Sequence, residues 1–329
     1  MRAVIVSEPG GPEQLHVAQR PDPHAGDDEI VIRVAAAGVN RADLLQRRGL
    51  YPPPPGASDV LGLEASGVVA EVGAGVRGLS IGDKVMALLE GGGYAELAAV
   101  RATQVVHVPD NVDLIDAGGV PEVFITAHDA LFTRGRLAQG ETVLIHGGGG
   151  GVGTAAIQLA RLRECRVIVT AGSAGKLARC VELGADTGIN YNTEDFVART
   201  RELTDGRGAD VVLDIMGASY LERNLDVVAN DGRVVVIGMQ GGTHSDIDLG
   251  LMVRRRVSLI ATALRARPAG QKAVIVAAFA ANVVPALAAG TLRPVIDRTL
   301  PFDEAAGAHR LMEAGESVGK IVLVPTARA

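Results

Sequence analysis

The sequence predicts an α/β protein in two parts, a partly open β-barrel from the amino-terminal third and a doubly wound parallel sheet after it. Three observations predict it. Residues 1 to 121 carry short, Val-rich runs separated by Gly, Pro or Asp, the texture of strands joined by tight turns. From about Val123, apolar runs alternate with helix-like segments, which reads as βαβ units around a parallel sheet. Within that second part, Thr142 to Gly153 runs Thr-Val-Leu-Ile-His-Gly-Gly-Gly-Gly-Gly-Val-Gly, a buried-type strand entering a glycine turn and then a helix.

In the first part the expected strands are Ala3 to Ser7, Glu29 to Ala36, Gly67 to Val72, Lys84 to Leu89 and Gln104 to Val108. Glu8-Pro9-Gly10-Gly11-Pro12 and Gly82-Asp83-Lys84 mark turns between them. Arg41 to Arg47 reads as one short helix. Gly49-Leu50-Tyr51-Pro52-Pro53-Pro54-Pro55-Gly56 follows it as a stiff, polyproline-like loop, because each residue before a proline is held extended.

In the second part, strand Thr142 to His146 leads to helix 151 to 163, Arg166 to Ala171 to helix 174 to 183, Thr187 to Tyr191 to helix 194 to 203, and Asp210 to Ile215 to helix 219 to 229. Arg233 to Gly238 and Val257 to Ala263 complete six strands. A tail from about Arg265 holds an Ala-rich helix, a strand at Arg293 to Arg298, a helix at Phe302 to Ala314 and a strand at Lys320 to Val324. A lone closing strand needs partners, so the chain is predicted to return to its starting domain. The expected domains are 1–121 with 265–329, and 122–264.

Composition narrows the function classes. Over 329 residues, 47% are apolar and 21% charged, as in ordinary soluble domains. A net charge of −6 offers no general basic field for a polyanion, which argues against nucleic acid as the main partner. Two cysteines are too few for a disulfide framework or a four-cysteine zinc site. Met1 to Ile5 leads straight into a strand without a signal-peptide pattern, and the cytoplasm is the expected setting. The longest apolar stretch, Ala273 to Ala289, contains Asn282 and Pro285 and is expected to fall short of a membrane span.

Gly148, Gly150 and Gly153 satisfy G-x-G-x-x-G, in which each glycine removes a side chain that would block the turn, the pyrophosphate or the helix packing. Placed after the first strand of alternating βα units, the loop becomes the first βα turn of a Rossmann domain. An acid about 20 residues beyond the glycines would bond both ribose hydroxyls of NAD. Here that stretch reads Thr170-Ala171-Gly172-Ser173-Ala174-Gly175-Lys176 and has no acid. A Gly-Ser turn gives room and backbone donors to a 2′-phosphate and Lys176 adds a positive charge, so NADP is the expected cofactor. Tyr191, ending the third strand, is placed to flank the adenine or its phosphate.

Gly140-Glu141-x-x-Leu144-x-x-x-Gly148-Gly149-Gly150-Gly151-x-Gly153-x-x-x-x-Gln158-x-x-Arg161 resembles the quinone oxidoreductase and zeta-crystallin signature within the medium-chain dehydrogenase/reductase superfamily. Asn40-Arg41-Ala42-Asp43, the Tyr51 to Gly56 proline loop, Gly62-Leu63-Glu64-Ala65-Ser66-Gly67, Gly82-Asp83 and Gly319-Lys320-Ile321-Val322-Leu323 fall at family positions. Thr170-Ala171-Gly172-Ser173 is most similar to the stress-inducible branch linked to tumour suppression in animals. Gly150 stands where that branch has a serine.

The resemblance implies a GroES-like β-barrel catalytic domain, a Rossmann domain, NADPH in the cleft between them, and a homodimer joined through edge strands at Val257 to Ala263. It also carries over cofactor contacts at Gly149, Gly150, Gly151 and Val152, at Gly172, Ser173, Lys176 and Tyr191, at Gly238, Met239 and Gln240, and at Ala261, Thr262, Ala263 and Leu264. Thr126 and Asn40 are expected near the nicotinamide. Zinc-dependent alcohol dehydrogenases of the superfamily place Cys where this chain has Asn40 and His where it has Leu63, so a metal-free protein is expected.

Without a Lewis acid the acceptor must already be electrophilic, as a quinone or another conjugated carbonyl is. Hydride delivery from NADPH to a small quinone is therefore the expected activity, with Tyr51 and Asn40 as the candidate catalytic side chains. The Tyr51 phenol can bond a ribose hydroxyl or the acceptor oxygen. Asn40 would orient the nicotinamide or Tyr51, or else cap a turn. Asp43 reads as a first-turn helix acid, and His146 as a packed strand end. Reduction of alkenals or enoyl thioesters on the same scaffold is one alternative, and a low-turnover NADPH- or RNA-binding protein of the zeta-crystallin kind is another.

Overall fold

The computed structural model describes residues 1–325 and divides into two compact units, residues 1–125 with the segment from 264 onward, and residues 126–263.

The first unit begins with β1 (Arg2–Val6) and β2 (Leu15–Gln19), an antiparallel pair running from Arg2↔Gln19 to Val6↔Leu15. The larger sheet is built from β3 (Glu29–Gly38), β4 (Glu64–Val72), β5 (Lys84–Leu88), β6 (Leu97–Arg101) and β7 (Val105–His107). β3 pairs antiparallel with both β4 and β6, and its register with β4 shifts twice, between Val31/Ile32 and Val34/Ala36. Such bulges sharpen the bend that a barrel-like sheet needs. Helix α1 (Arg41–Arg47) occupies the predicted residues, and α2 (Leu114–Ala117) and α3 (Pro121–His128) follow the last of these strands.

The second unit is one six-stranded parallel sheet. Its elements are β8 (Thr142–His146), α4 (Gly151–Leu162), β9 (Arg166–Ala171), α5 (Ala174–Glu182), β10 (Thr187–Asn190), α6 (Phe196–Leu203), β11 (Ala209–Asp214), α7 (Ala218–Val227), β12 (Val228–Val236), α8 (Leu249–Arg255) and β13 (Ser258–Ala261). The order β10-β9-β8-β11-β12-β13 reverses direction at β8, beside β11. That is the switch point at whose strand ends open sheets bind nucleotides. The apolar runs read from the sequence are the buried strands: every residue of β8 is buried, and Ile168, Ile189, Val212 and Val234 join Leu144 in one core.

The chain then returns to the first unit as α9 (Ala269–Asn282), α10 (Val284–Ala288), β14 (Ile296–Pro301), α11 (Ala305–Ala314) and β15 (Lys320–Val324). β15 pairs parallel with β14 and antiparallel with β3, at Val322↔Gly38 and Leu323↔Ala37. The predicted closing strand thus finds its partners in the barrel sheet. One expectation needs correction. Ala269–Ala288, with a mean hydropathy of 1.6, is long and apolar enough to cross a membrane by length and composition. Its interruption by Pro285 does not remove it from that class, but it breaks the segment into α9 and α10. Lys272 is buried on α9 with Ile275, Val276 and Phe279, and its ammonium is paired with Glu90, so one face of this helix packs on the protein while Val274 stands exposed.

Candidate active site

The glycine loop owes its shape to local sterics. Gly147 leaves β8 with φ +70°, a conformation that costs other residues free energy. Gly150 then caps α4 with extended backbone and no side-chain hydrogen bond. Among the described residues, the main-chain N–H groups of Gly151, Val152 and Gly153 make no hydrogen bond, since the first turn's ladder begins with Thr154 N to Gly150 O at 2.8 Å. Three unsatisfied donors at the positive end of a 12-residue helix form an anion cradle. The residues present fit a dinucleotide pyrophosphate.

Several predicted cofactor residues come together beside that cradle. A Cβ added to Gly149 would stand 3.1 Å from Lys176 Cδ, so the Lys176 stem lies against the loop. A Cβ on Gly172 would meet the Tyr191 hydroxyl at 2.5 Å; only glycine admits the phenol there. Ser173 caps α5 by accepting from Lys176 N at 3.4 Å. Asn192, unmarked by any sequence pattern, donates to Gly172 O at 2.8 Å and holds the same turn. At the neighbouring strand ends, Gln240 N donates to Ile215 O at 3.2 Å, and a Cβ on Gly238 would approach that carbonyl to 2.8 Å. Met239 between them is 61% exposed. Ala261 closes β13, Thr262 N donates to Val236 O at 3.1 Å, and Thr262 Oγ1 donates to Asp129 Oδ2 at 3.3 Å. Thr126 and Ala263 bound this unit in sequence, whereas Leu264, Asn40 and Tyr51 belong to the other one.

His146 is a packed strand end, as expected. It lies between Thr170 Oγ1 at 3.1 Å and Asn224 Oδ1 at 2.8 Å, edge-on to Phe196 and Tyr220, and burial pushes its pKa down to about 4. It is a neutral core imidazole. A groove of about 680 Å³ lined by Arg201, Arg207 and Arg255 lies elsewhere. Arg201 and Arg255 bond the carbonyls of Asp226 and Leu225 at the end of α7, which is helix capping.

In the first unit a buried polar cluster surrounds Asn40. Its Nδ2 donates to Gly38 O at 3.2 Å and to Glu64 Oε1 at 3.0 Å, and its Oδ1 accepts from Lys320 Nζ at 2.6 Å. The amide is engaged within the protein, and the Asn40 N–H is bonded to Asp43 Oδ2 at the start of α1. Lys320 Nζ also reaches Val39 O at 2.8 Å and Glu64 Oε1 at 2.6 Å, and both ions of this pair are almost fully buried. Asp43 accepts from Gly62 N and from the Tyr94 hydroxyl, yet burial still raises its carboxyl to about 6. Beyond it, Tyr94 and Arg47 flank His309, whose pKa burial and then Arg47 depress to about 3.

Tyr51 is half-buried, its backbone O accepting from Arg265 Nη1 at 3.2 Å while the guanidinium stands 5.4 Å from its ring centroid. Burial, then Glu122, raises the phenol pKa. Arg265 Nε donates to Glu90 O at 2.8 Å, and among the described residues its buried Nη2 has no hydrogen-bond partner. Sequence reasoning passed over Glu122, Tyr94, Arg265 and Lys320. Glu122 alone had a local signal, an acid directly after the proline that opens a helix; the others become site residues only through long-range contacts. Leu63 is buried and offers no donor. Among the described residues, no group of three or more His, Cys, Asp or Glu side chains is arranged to hold a metal ion.

Comparison with known proteins agrees with these two halves. Residues 151–278 match the model for a zinc-binding dehydrogenase, and residues 26–110 the alcohol dehydrogenase GroES-like domain. A quinone oxidoreductase of Pseudomonas aeruginosa is 33% identical over 318 residues, covering 96% of this chain and 97% of the relative. A phenolphthiocerol/phthiocerol polyketide synthase component of Mycobacterium tuberculosis is 32% identical over 323 residues, but the chain spans only 14% of that protein's length. Among solved structures, the Escherichia coli quinone oxidoreductase complexed with NADPH superposes with a TM-score of 0.90 at 27% identity, covering 99% of this chain and all of that one. The CurK enoyl reductase gives 0.87 at 27% identity, with 99% of each chain covered. The chain therefore belongs to the quinone oxidoreductase-like family of the medium-chain dehydrogenase/reductase superfamily.

Proposed function

We propose that this chain is a zinc-independent, NADPH-dependent quinone oxidoreductase acting on small quinones. The observation that carries the reading is the donor set around Asn40: an amide already engaged by Lys320 and Glu64, and a buried leucine at position 63. Those side chains cannot assemble a Lewis-acid centre, so the acceptor must be electrophilic in its own right. NADPH, when bound, supplies the hydride. The protein holds its pyrophosphate on the free N–H groups of α4 and reads the adenosine end with Gly172, Ser173, Lys176 and Tyr191. Tyr51 orients the acceptor oxygen. Asn40 is a positioning residue, acting through Lys320 and Glu64.

Two further parts of this reading concern assembly and compartment. β13 is the edge of its sheet, and Met239, Leu249 and Val253 are exposed apolar side chains on the second unit. An uncovered edge of this kind suits pairing with a second copy. Both cysteines are free and buried, which fits a reducing cytoplasm.

A second reading, reduction of α,β-unsaturated carbonyls, is favoured by the likeness to an enoyl reductase and to a polyketide synthase segment. Oxidation of NADPH measured across quinones, alkenals and enoyl thioesters separates the two. The quinone reading expects kcat/KM to be highest with small quinones and to fall roughly 10-fold in Tyr51→Phe, the loss of about one hydrogen bond. Selective turnover of enoyl thioesters would replace it.

The cofactor assignment has its own test. Lys176→Ala should raise the Kd for NADPH roughly 10-fold while leaving that for NADH nearly unchanged, because a single charge-assisted contact to the 2′-phosphate contributes about 1.5–3 kcal/mol. Equal losses for both cofactors would remove Lys176 from the phosphate site.

A further inference from the structure

Glu122 occupies the first turn of α3, and its main-chain N–H is fixed by Glu64 Oε2 at 2.8 Å. Its carboxyl differs from every other acid of the cluster. Asp43 and Glu64 have bonded oxygens, whereas among the described residues no hydrogen bond or ion pair reaches the Glu122 carboxyl. The residue is half-buried, and neither of its carboxyl oxygens is among the sealed, unpartnered atoms. Both oxygens therefore keep some contact with solvent.

The charges facing this carboxyl are Glu64 and Asp43, which disfavour its ionised form, and Lys320 and Arg265, which favour it. Lys320 is held by Glu64, Asn40 and Val39 O, and Arg265 by the carbonyls of Glu90 and Tyr51. Neither cation forms an ion pair with Glu122. Burial and then Glu64 raise the carboxyl to about 8, so at neutral pH it carries its proton. Tyr51 lies within electrostatic reach of this carboxyl, which helps to raise its phenol. An acid that is half-buried, unpaired and open on one side costs stability without a structural return.

Resting on the quinone reductase reading above, we propose that Glu122 is the proton donor of the reaction, delivering its carboxyl proton to the acceptor oxygen beside Tyr51. Hydride addition brings two electrons and one proton to the quinone and leaves a hydroquinone monoanion. The Glu122 O–H bond breaks, a new O–H bond forms on the anionic oxygen, and the carboxylate takes a proton back from solvent through its open side. The cofactor is oxidised by two electrons and the quinone is reduced by two.

The test compares wild type, Glu122→Gln and Glu122→Asp in quinone reduction from pH 5.5 to 9.5, with NADPH affinity and thermal unfolding measured on each. Wild-type kcat should fall above about pH 8 as the donor ionises. Glu122→Gln should bind NADPH normally, lose roughly 100-fold in kcat, as removal of a general acid does, and lose the alkaline limb. Glu122→Asp should recover part of both. A purely structural role would lower the unfolding temperature and leave the shape of the pH profile intact. Infrared difference spectra of wild type against Glu122→Gln at pH 7 should show the carbonyl stretch of a protonated carboxyl, a readout independent of turnover. Absence of that band, or an unchanged kcat and alkaline limb in an active, folded Glu122→Gln, overturns the assignment of Glu122 alone. A wild-type protein that oxidises NADPH with no quinone overturns the quinone reductase reading instead.

Discussion

Lys320→Ala is expected to lower the unfolding free energy by about 3–5 kcal/mol, the cost of leaving one member of a buried ion pair without the other. Glu64 is 0% exposed and Lys320 3%, and their charged atoms are 2.6 Å apart. The ammonium also serves Val39 O and Asn40 Oδ1, so the variant withdraws a donor from three acceptors together and leaves Glu64 with only neutral donors, Asn40 Nδ2 and Glu122 N. A carboxylate, unlike a carbonyl, cannot be left dry without a large penalty. Lys320→Ala/Glu64→Gln should therefore recover a substantial part of the loss, because the remaining side chain is neutral. Urea titrations of the four proteins in this cycle measure the effect. A double variant no more stable than Lys320→Ala would show that the pair's charge is not what holds these elements together.

Gly153→Ala is expected to weaken NADPH binding by roughly 100-fold, about 3 kcal/mol, the upper end of what overpacking costs. A Cβ at this position would stand 2.3 Å from Gly147 O and 2.7 Å from Gly148 C and Cα. All three atoms are backbone of the loop itself, so no side chain can swing away. The methyl group must push the turn off α4, and the N–H donors of the cradle move with it. Gly175→Ala is the matched control, since a Cβ there meets nothing within 4 Å. Fluorescence titration with NADPH checks both. Equal affinity in the two variants would mean that the loop does not hold the cofactor.

The parallel sheet was legible in the sequence because burial on both faces turns its strands into unbroken apolar runs. Val143 to Ile145 and Val167 to Val169 are such runs, and each leads into a helix of the expected place. Strands β2 and β6 were not legible. β2 buries only Leu15, and β6 only Ala98 and Val100, too little periodic signal in five residues. Helix α8 was missed for a similar reason: it has no buried residue, so no apolar face announces it. The site divides the same way. The glycine loop and the Gly172-Ser173 turn are local and could be read, whereas the partners of Asn40 come from β4 and β15 and no spacing rule connects them.

The position of β15 also has a consequence for how the molecule is made. The ammonium that neutralises Glu64 sits on the strand that pairs with β3, beyond the whole of the second unit in sequence. A chain emerging from the ribosome can complete residues 126–263 as a unit while the barrel still lacks that strand. Until residue 320 is released, Glu64 and Asn40 have water in place of their cation. The dinucleotide fold can thus form before the barrel's polar cluster closes, and the surroundings of Asn40 wait for β15.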